Sequence, residues 1–385
     1  MTTTFVRDRF TWLAYFMLAY FSFMQSSLGP LMPFLRAELN LNYTETALHL
    51  SAFAFGMIIA GFTADRVATR WGRSAVFWGG ALGMGVGGVL LTLANQAALT
   101  IGSALIMGFL GAYLLVMIPA CLTDHHGSRR AIALTESNVA ASISATIAPL
   151  LVGFGETVGL TWRFALLAGA GVCLLLAVIF RRTPIPKGIQ VSQTQSSRAL
   201  PHRFWAYWLV VVCAVSLEWC VVFWGADFLQ KSVGLEKVTA ATLMSVFFVA
   251  MVIGRVIGSR LTRTFESSRL LIFAVAVVGV GFPLFWLGRV PVVNIVGLFI
   301  AGLGIANLYP LTLSVAASID PAQANRASAR VLLAGGLAIL VAPQVLASFA
   351  DSAGIYNAFG VAAAMLVAAA IIVLAAERVP VPAKT

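Results

Sequence analysis

The stretch Gly61-Phe62-Thr63-Ala64-Asp65-Arg66-Val67-Ala68-Thr69-Arg70-Trp71-Gly72-Arg73 reads as a short charged turn between two long apolar runs, and the rest of the chain makes sense around it. Small Gly61 is expected to let two helices approach closely, and Asp65 to accept hydrogen bonds at a membrane surface. Arg66, Arg70 and Arg73 are expected at the lipid headgroups, where cytoplasmic loops collect basic residues.

Outward from this stretch the chain is 60% hydrophobic and 10% charged over 385 residues, with a mean hydropathy of +0.94. Soluble domains carry roughly a quarter charged residues, so the composition specifies an integral membrane protein. The net charge of +11 is dispersed over many short loops, a topology signal and not a nucleic-acid-binding face. Cys121, Cys173, Cys213 and Cys220 all fall in apolar runs and read as packing residues. The first apolar run is too long for a signal peptide and reads as a retained span.

A spanning helix needs about 20 apolar residues. Twelve candidates lie near 10–35, 44–65, 74–94, 98–122, 131–155, 159–180, 204–229, 238–261, 269–288, 291–318, 327–350 and 354–376. With the N-terminus inside, 20 of the 25 Lys and Arg residues fall on the cytoplasmic side, so both termini are placed there, in a cell (inner) membrane. The polar segment 181–203 reads as a cytoplasmic linker between an N-terminal six-helix bundle, 1–180, and a C-terminal one, 204–385. The halves repeat. A shift of 193 puts Gly61 on Gly254, Asp65 on Gly258 and Gln25 on Glu218. A shift of 194 puts Ala148-Pro149 on Ala342-Pro343 and Glu136 on Arg330, and one of 196 puts Asp124 and Arg130 on Asp320 and Arg326.

Ionisable side chains at membrane depth cost about 3 kcal/mol on insertion scales, so each is a candidate for function. Glu218, near the midplane of the seventh span, is the leading proton carrier, and Glu136, early in the fifth, is a second proton site or a gate. Gln25, Asn138, Trp219, Asn307 and Tyr309 are candidate substrate contacts. Trp12, Tyr15, Tyr20, Phe223 and Trp224 could stack on a solute, but most such rings are expected at lipid or interface. Asp227 reads as a solvated vestibule end. Asp124-His125-His126 reads as a solvated loop and not a metal set, because adjacent histidines on a helix end point apart. No Gly-Lys-Ser/Thr phosphate loop occurs, which argues against ATP hydrolysis, and no soluble domain is present to host other catalysis. No cofactor or metal is expected, and the chain reads as no enzyme.

Gly61, three residues, Asp65-Arg66 and the basic run to Gly72-Arg73 resemble the signature loop between the second and third helices of major facilitator superfamily transporters, with two extra residues before Trp71-Gly72-Arg73. The twelve spans, duplicated halves and basic linker strengthen the resemblance. It implies an all-α membrane protein of twelve transmembrane helices in two pseudo-symmetric six-helix bundles, acting as a monomeric secondary transporter by alternating access. It further implies that the fifth helix meets the eighth and the second the eleventh, so that Glu136–Arg255 and Asp65–Arg330 would latch the cytoplasmic side. The tenth-span run Gly302-Leu303-Gly304-Ile305-Ala306-Asn307-Leu308-Tyr309-Pro310, with Glu218 and Gly335-Gly336 to Gln344, resembles the fucose-permease-like branch, mostly proton symporters of sugars. Asn307 departs from that branch, which often has proline there. The expected partners are therefore a small polar solute such as a sugar or carboxylate, protons and the bilayer, with no nucleic acid. The alternative is a proton antiporter exporting drugs or hydrophobic metabolites, of which Ala148-Pro149 with Gly153 is a faint echo.

Overall fold

The computed structural model describes residues 5–186, 200–320 and 323–378. Most of the segment read as the central linker therefore lies outside the described residues. Among the described residues, twelve α-helices follow one another: α1 (Arg9–Leu39), α2 (Tyr43–Trp71), α3 (Arg73–Leu93), α4 (Ala97–His126), α5 (Arg130–Thr157), α6 (Arg163–Phe180), α7 (His202–Lys231), α8 (Lys237–Leu261), α9 (Ser267–Leu287), α10 (Pro291–Ser318), α11 (Ala324–Ala358) and α12 (Gly360–Arg378). Among the described residues, nine continuous helical segments are long and apolar enough to cross a membrane, one of which, Ala97–Thr157, contains both α4 and α5. The chain is a multi-pass membrane protein, for which helices that satisfy their own backbone groups are the natural spanning element.

Local sequence sets the ends. Asp8 caps α1 by accepting from the Thr11 N–H at 2.9 Å, and Asn42 with Glu45 closes a reciprocal capping box on α2. Pro291 opens α10 at a position where no N–H is needed. The stretch read as a turn is helical almost throughout. α2 continues to Trp71 and is broken only at Gly72, whose φ of 83° suits glycine. The reason is that Asp65-Arg66-Val67-Ala68-Thr69-Arg70 holds no helix breaker, so the polar residues extend the helix instead of ending it. Gly354, with φ 78°, kinks the far end of α11, so the twelfth helix starts at Gly360, later than expected.

The chain divides into two compact units, Met1–Ser192 with Lys237–Ser245, and Gln193–Glu236 with Val246–Thr385. In the first, α1 packs on α5, α4 lies against α2 and α3, and α6 covers α1 and α3. The second repeats the pattern, with α7 on α11, α10 against α9, and α12 covering α7 and α9.

The repetition extends to single glycines. A β-carbon on Gly108 of α4 would run into the Phe53 carbonyl of α2, and one on Gly302 of α10 would stand 2.9 Å from the Phe247 carbonyl of α8. A β-carbon on Gly80 would stand 2.9 Å from the Leu110 carbonyl, and one on Gly304 2.8 Å from the Ala274 carbonyl. Gly87 packs on Met107 as Gly281 does on Ala301. Every one of these residues is displaced from its counterpart by 194 positions. Small residues at crossings let backbones touch, the main source of helix association where both surroundings and surfaces are apolar.

Gly61 departs from expectation, because a β-carbon there meets nothing within 4 Å; the close approach of α2 falls at Gly56, against the Phe109 N–H at 2.6 Å. Gly108→Ala is expected to cost about 1–3 kcal/mol through overpacking and to lower the thermal midpoint of the purified protein. Gly102→Ala, in the same helix with open space at its β-carbon, should hold or raise it; the reverse order would contradict this packing.

Candidate functional site

The second unit gathers the central polar set. Glu218 lies near the middle of the 30-residue helix α7 and is half-buried. From α8, the charge of Arg255 acts on it, and from α10, Tyr309 is within its electrostatic reach. Arg255 is exposed within the protein, while Tyr309 is half-buried. A carboxyl, a guanidinium and a phenol in one neighbourhood can exchange a proton, or hold a polar solute through complementary donors and acceptors. Trp219 is half-buried next to Glu218 along the chain and offers a ring face.

Asn307, expected to face a solute, spends both amide hydrogens elsewhere: Nδ2 donates to the Gly254 carbonyl of α8 at 2.9 Å and to the Leu303 carbonyl at 3.2 Å. Arg330 is exposed, and its backbone carbonyl accepts from Trp208 Nε1 at 2.9 Å.

In the first unit, Gln25 sits half-buried and donates to Met57 Sδ at 3.8 Å. Asn138 is exposed and bonds back to the Leu134 carbonyl of its own helix at 2.8 Å. Glu136 finds its cation in Arg7, which donates through Nη2 at 2.6 Å and Nε at 2.8 Å, and Tyr15 adds a third hydrogen bond at 3.0 Å. Arg7 precedes the first span and was counted in the sequence only as a topology charge. The repeat was the signal that could have found this cluster: Tyr15 and Glu136 correspond to Trp208 and Arg330, which also touch.

Three readings are corrected here. Asp124-His125-His126 is the last turn of α4 and each side chain is engaged. Asp124 pairs with Arg73 at 2.6 Å, His125 with Asp8 at 2.7 Å, and His126 with the Thr11 hydroxyl at 2.8 Å. The run stitches α4 to α3 and to the start of α1 because its three side chains fan around the helix end. Asp227 is fully buried on α7 and not a solvated end, since α7 continues past it to Lys231. Of the aromatic set only Trp12 is exposed; Tyr15, Tyr20, Phe223 and Trp224 are buried within their units, Trp224 donating to the Pro343 carbonyl at 3.0 Å. Gly61, Asp65 and Arg66 are exposed at the end of α2.

At the opposite end of the first unit, Arg163 of α6 forms a two-pronged pair with Glu38 of α1 and donates to the Thr92 carbonyl of α3 at 2.9 Å. Trp162 Nε1 adds a bond to Glu38 at 3.2 Å. The Arg163 hydrogen bonds hold the Glu38 carboxyl below its ordinary range, against the opposing effect of burial. At Asp8, burial works upward, but the bonds from Thr11 and His125 outweigh it and leave the carboxyl lowered too.

A carboxyl lowered by folding stabilises the protein above its ordinary pKa, near 4, and loses that contribution as pH falls through the folded value. Glu38→Gln should therefore reduce stability at neutral pH by at most about 1 kcal/mol, since the pair is largely solvated. The gap to wild type should close on acidification below about pH 4, read from thermal midpoints across pH; a gap that stays constant would contradict the assignment.

Comparison with known proteins follows the same lines. The chain is 23% identical over 343 residues to an uncharacterized MFS-type transporter of Yersinia pestis, covering 87% of each. It is 26% identical over 224 residues to the multidrug resistance protein MdtL of Escherichia coli, covering 56% of each. Its fold matches a bacterial homologue of the human lysosomal transporter Spinster with a TM-score of 0.81 at 15% identity, over 97% of this chain and 98% of that one. It also matches a D-xylose-proton symporter with a TM-score of 0.78 at 14% identity, over 96% and 97% of the two chains. The family model described as Major Facilitator Superfamily matches residues 11–343 and 209–385, and with a match of that extent the chain belongs to that superfamily of secondary transporters, not to an enzyme family.

Proposed function

We propose that this transporter is a proton-coupled permease for a small polar organic solute, a sugar or a carboxylate, in which Glu218 carries the proton. What supports the reading is that the charge of Arg255 acts on Glu218 and that of Glu218 on Tyr309, three groups from three helices of one unit. An ionised Glu218 and an anionic or hydroxylated solute compete for the Arg255 charge, and a neutral Glu218 does not. Proton and solute occupancy are thereby linked, and a ligand shifts a conformational equilibrium only through such a difference in binding. The fold shared with a D-xylose-proton symporter is compatible with this reading.

Trp219 and Gln25 are assigned to solute contact, with Asn138 retained as a peripheral candidate. Glu136, held by Arg7 and Tyr15, is assigned with Asp65, Arg66, Arg73 and Arg330 to cytoplasmic gating. The protein is placed as a monomer in the inner membrane, with both termini cytoplasmic.

A second reading, proton antiport of drugs or hydrophobic metabolites, is favoured by the relationship to MdtL. Proton flux in proteoliposomes separates them as sugars, organic acids and cationic drugs are added in turn. Proton entry with a sugar or acid supports the first reading, and proton exit driven by a cationic drug supports the second. In either case Glu218→Gln should abolish the solute-triggered flux; a variant matching wild type would remove Glu218 from the coupling role.

A further inference from the structure

At the crossing of α8 and α10 the side-chain amide of Asn307 is seated in a groove one helical turn long. Its Nδ2 donates to the Gly254 carbonyl at 2.9 Å. Its oxygen occupies the space that a β-carbon on Gly258 would take, so residue 258 admits only a hydrogen there. Gly254 is equally constrained, since a β-carbon would strike the Leu303 carbonyl and stand 3.0 Å from Ala306 Cβ. Two glycines four residues apart thus form a slot, and the amide locks into it by shape and by hydrogen bond.

The next residue after Gly254 is Arg255, and two residues beyond Asn307 is Tyr309. Fixing this turn of α8 on α10 fixes both its height and its rotation, which sets where the guanidinium stands relative to Tyr309 and to Glu218.

The first unit lacks the arrangement. By the 194-residue offset of the helix crossings, Ala64 corresponds to Gly258, Ala60 to Gly254 and Tyr113 to Asn307. Both alanines are buried and already carry the β-carbon that the slot excludes, and the Tyr113 hydroxyl meets Thr63 at 3.1 Å instead. Glu218 likewise has only Gln25 as its counterpart there. The slot and the acid occur in the same unit.

We propose that Asn307 and the Gly254–Gly258 slot act as a positioning device for proton coupling, holding Arg255 at the place from which it controls the protonation of Glu218. The proposal rests on the reading that Glu218 carries the coupling proton. Within its unit, the charge of Arg255 from α8 acts on Glu218, and Tyr309 from α10 lies within its electrostatic reach. α11 carries none between Arg330 and Asp351, and α12 none before Glu377.

The test is an infrared titration of the reconstituted full-length protein, following the protonated-carboxyl band that disappears in Glu218→Gln. Arg255→Gln shows which way the band's midpoint moves when the cation is lost. Asn307→Ala is expected to move it the same way by at least about half a pH unit, a threefold change in the proton equilibrium. Gly258→Ala forces the amide out and should do likewise. The double variant Gly258→Ala/Asn307→Ala fills the vacated space with the added methyl, so its thermal midpoint should return toward that of wild type while the titration stays shifted.

A double variant that titrates like wild type would overturn the proposal, and so would a wild-type protein with no Glu218 band titrating between pH 4 and 10. Failure of the underlying reading looks different. Glu218→Gln would then keep its solute-driven proton flux even though the titration shifts occurred as expected.

Discussion

A bare Cα–H pressed against a carbonyl oxygen is the contact on which the bundles depend. Gly108 against Phe53 and Gly302 against Phe247 are the two clearest cases, 194 positions apart. Lipid tails are as apolar as the helix surfaces, so apolar burial alone gives the helices little reason to associate. Close backbone approach supplies the missing dispersion contacts, and it is available only where no β-carbon intervenes. Because both units use the same crossings at the same offset, the duplicated framework can hold its geometry while the polar positions diverge.

That divergence is where the chemistry lies. Gln25 in the first unit corresponds to Glu218 in the second, Tyr113 to Asn307 and Glu136 to Arg330. One unit carries its ionic contacts at its ends, in Arg7–Glu136, Asp8–His125, Arg73–Asp124 and Arg163–Glu38. The other brings a half-buried carboxyl on α7 within electrostatic reach of a guanidinium on α8 and a phenol on α10. End contacts between partly solvated charges contribute modestly each and serve mainly to fix helix ends. The interior group is costly and has to be offset by what it does.

The sequence made the repeat and the all-helical, multi-pass character legible, because hydropathy and spacing are one-dimensional signals. The length of α2 past Asp65 was missed: charge was taken as a sign of a turn, whereas only a backbone breaker such as Gly72 ends a helix. Gly61 and Gly56 look alike in the sequence, and only the position of α4 shows which one bears a crossing. Arg7 counted only as a topology charge and Asp8 had no role, since nothing local says that a segment before the first span folds onto Glu136 and His125. Asn307 was given to the solute for a similar reason, the Gly254 carbonyl that claims it being 53 residues away along the chain.

The central claim is that a carboxyl in the middle of α7 takes up and releases a proton from within the membrane. Proton binding at that depth moves charge part-way across the bilayer, and the movement is recordable without knowing the solute. The most direct measurement is the transient current evoked by a pH jump on a solid-supported membrane bearing the reconstituted protein. The account predicts a transient in wild type that Glu218→Gln abolishes; transients of equal size in the two proteins would contradict it.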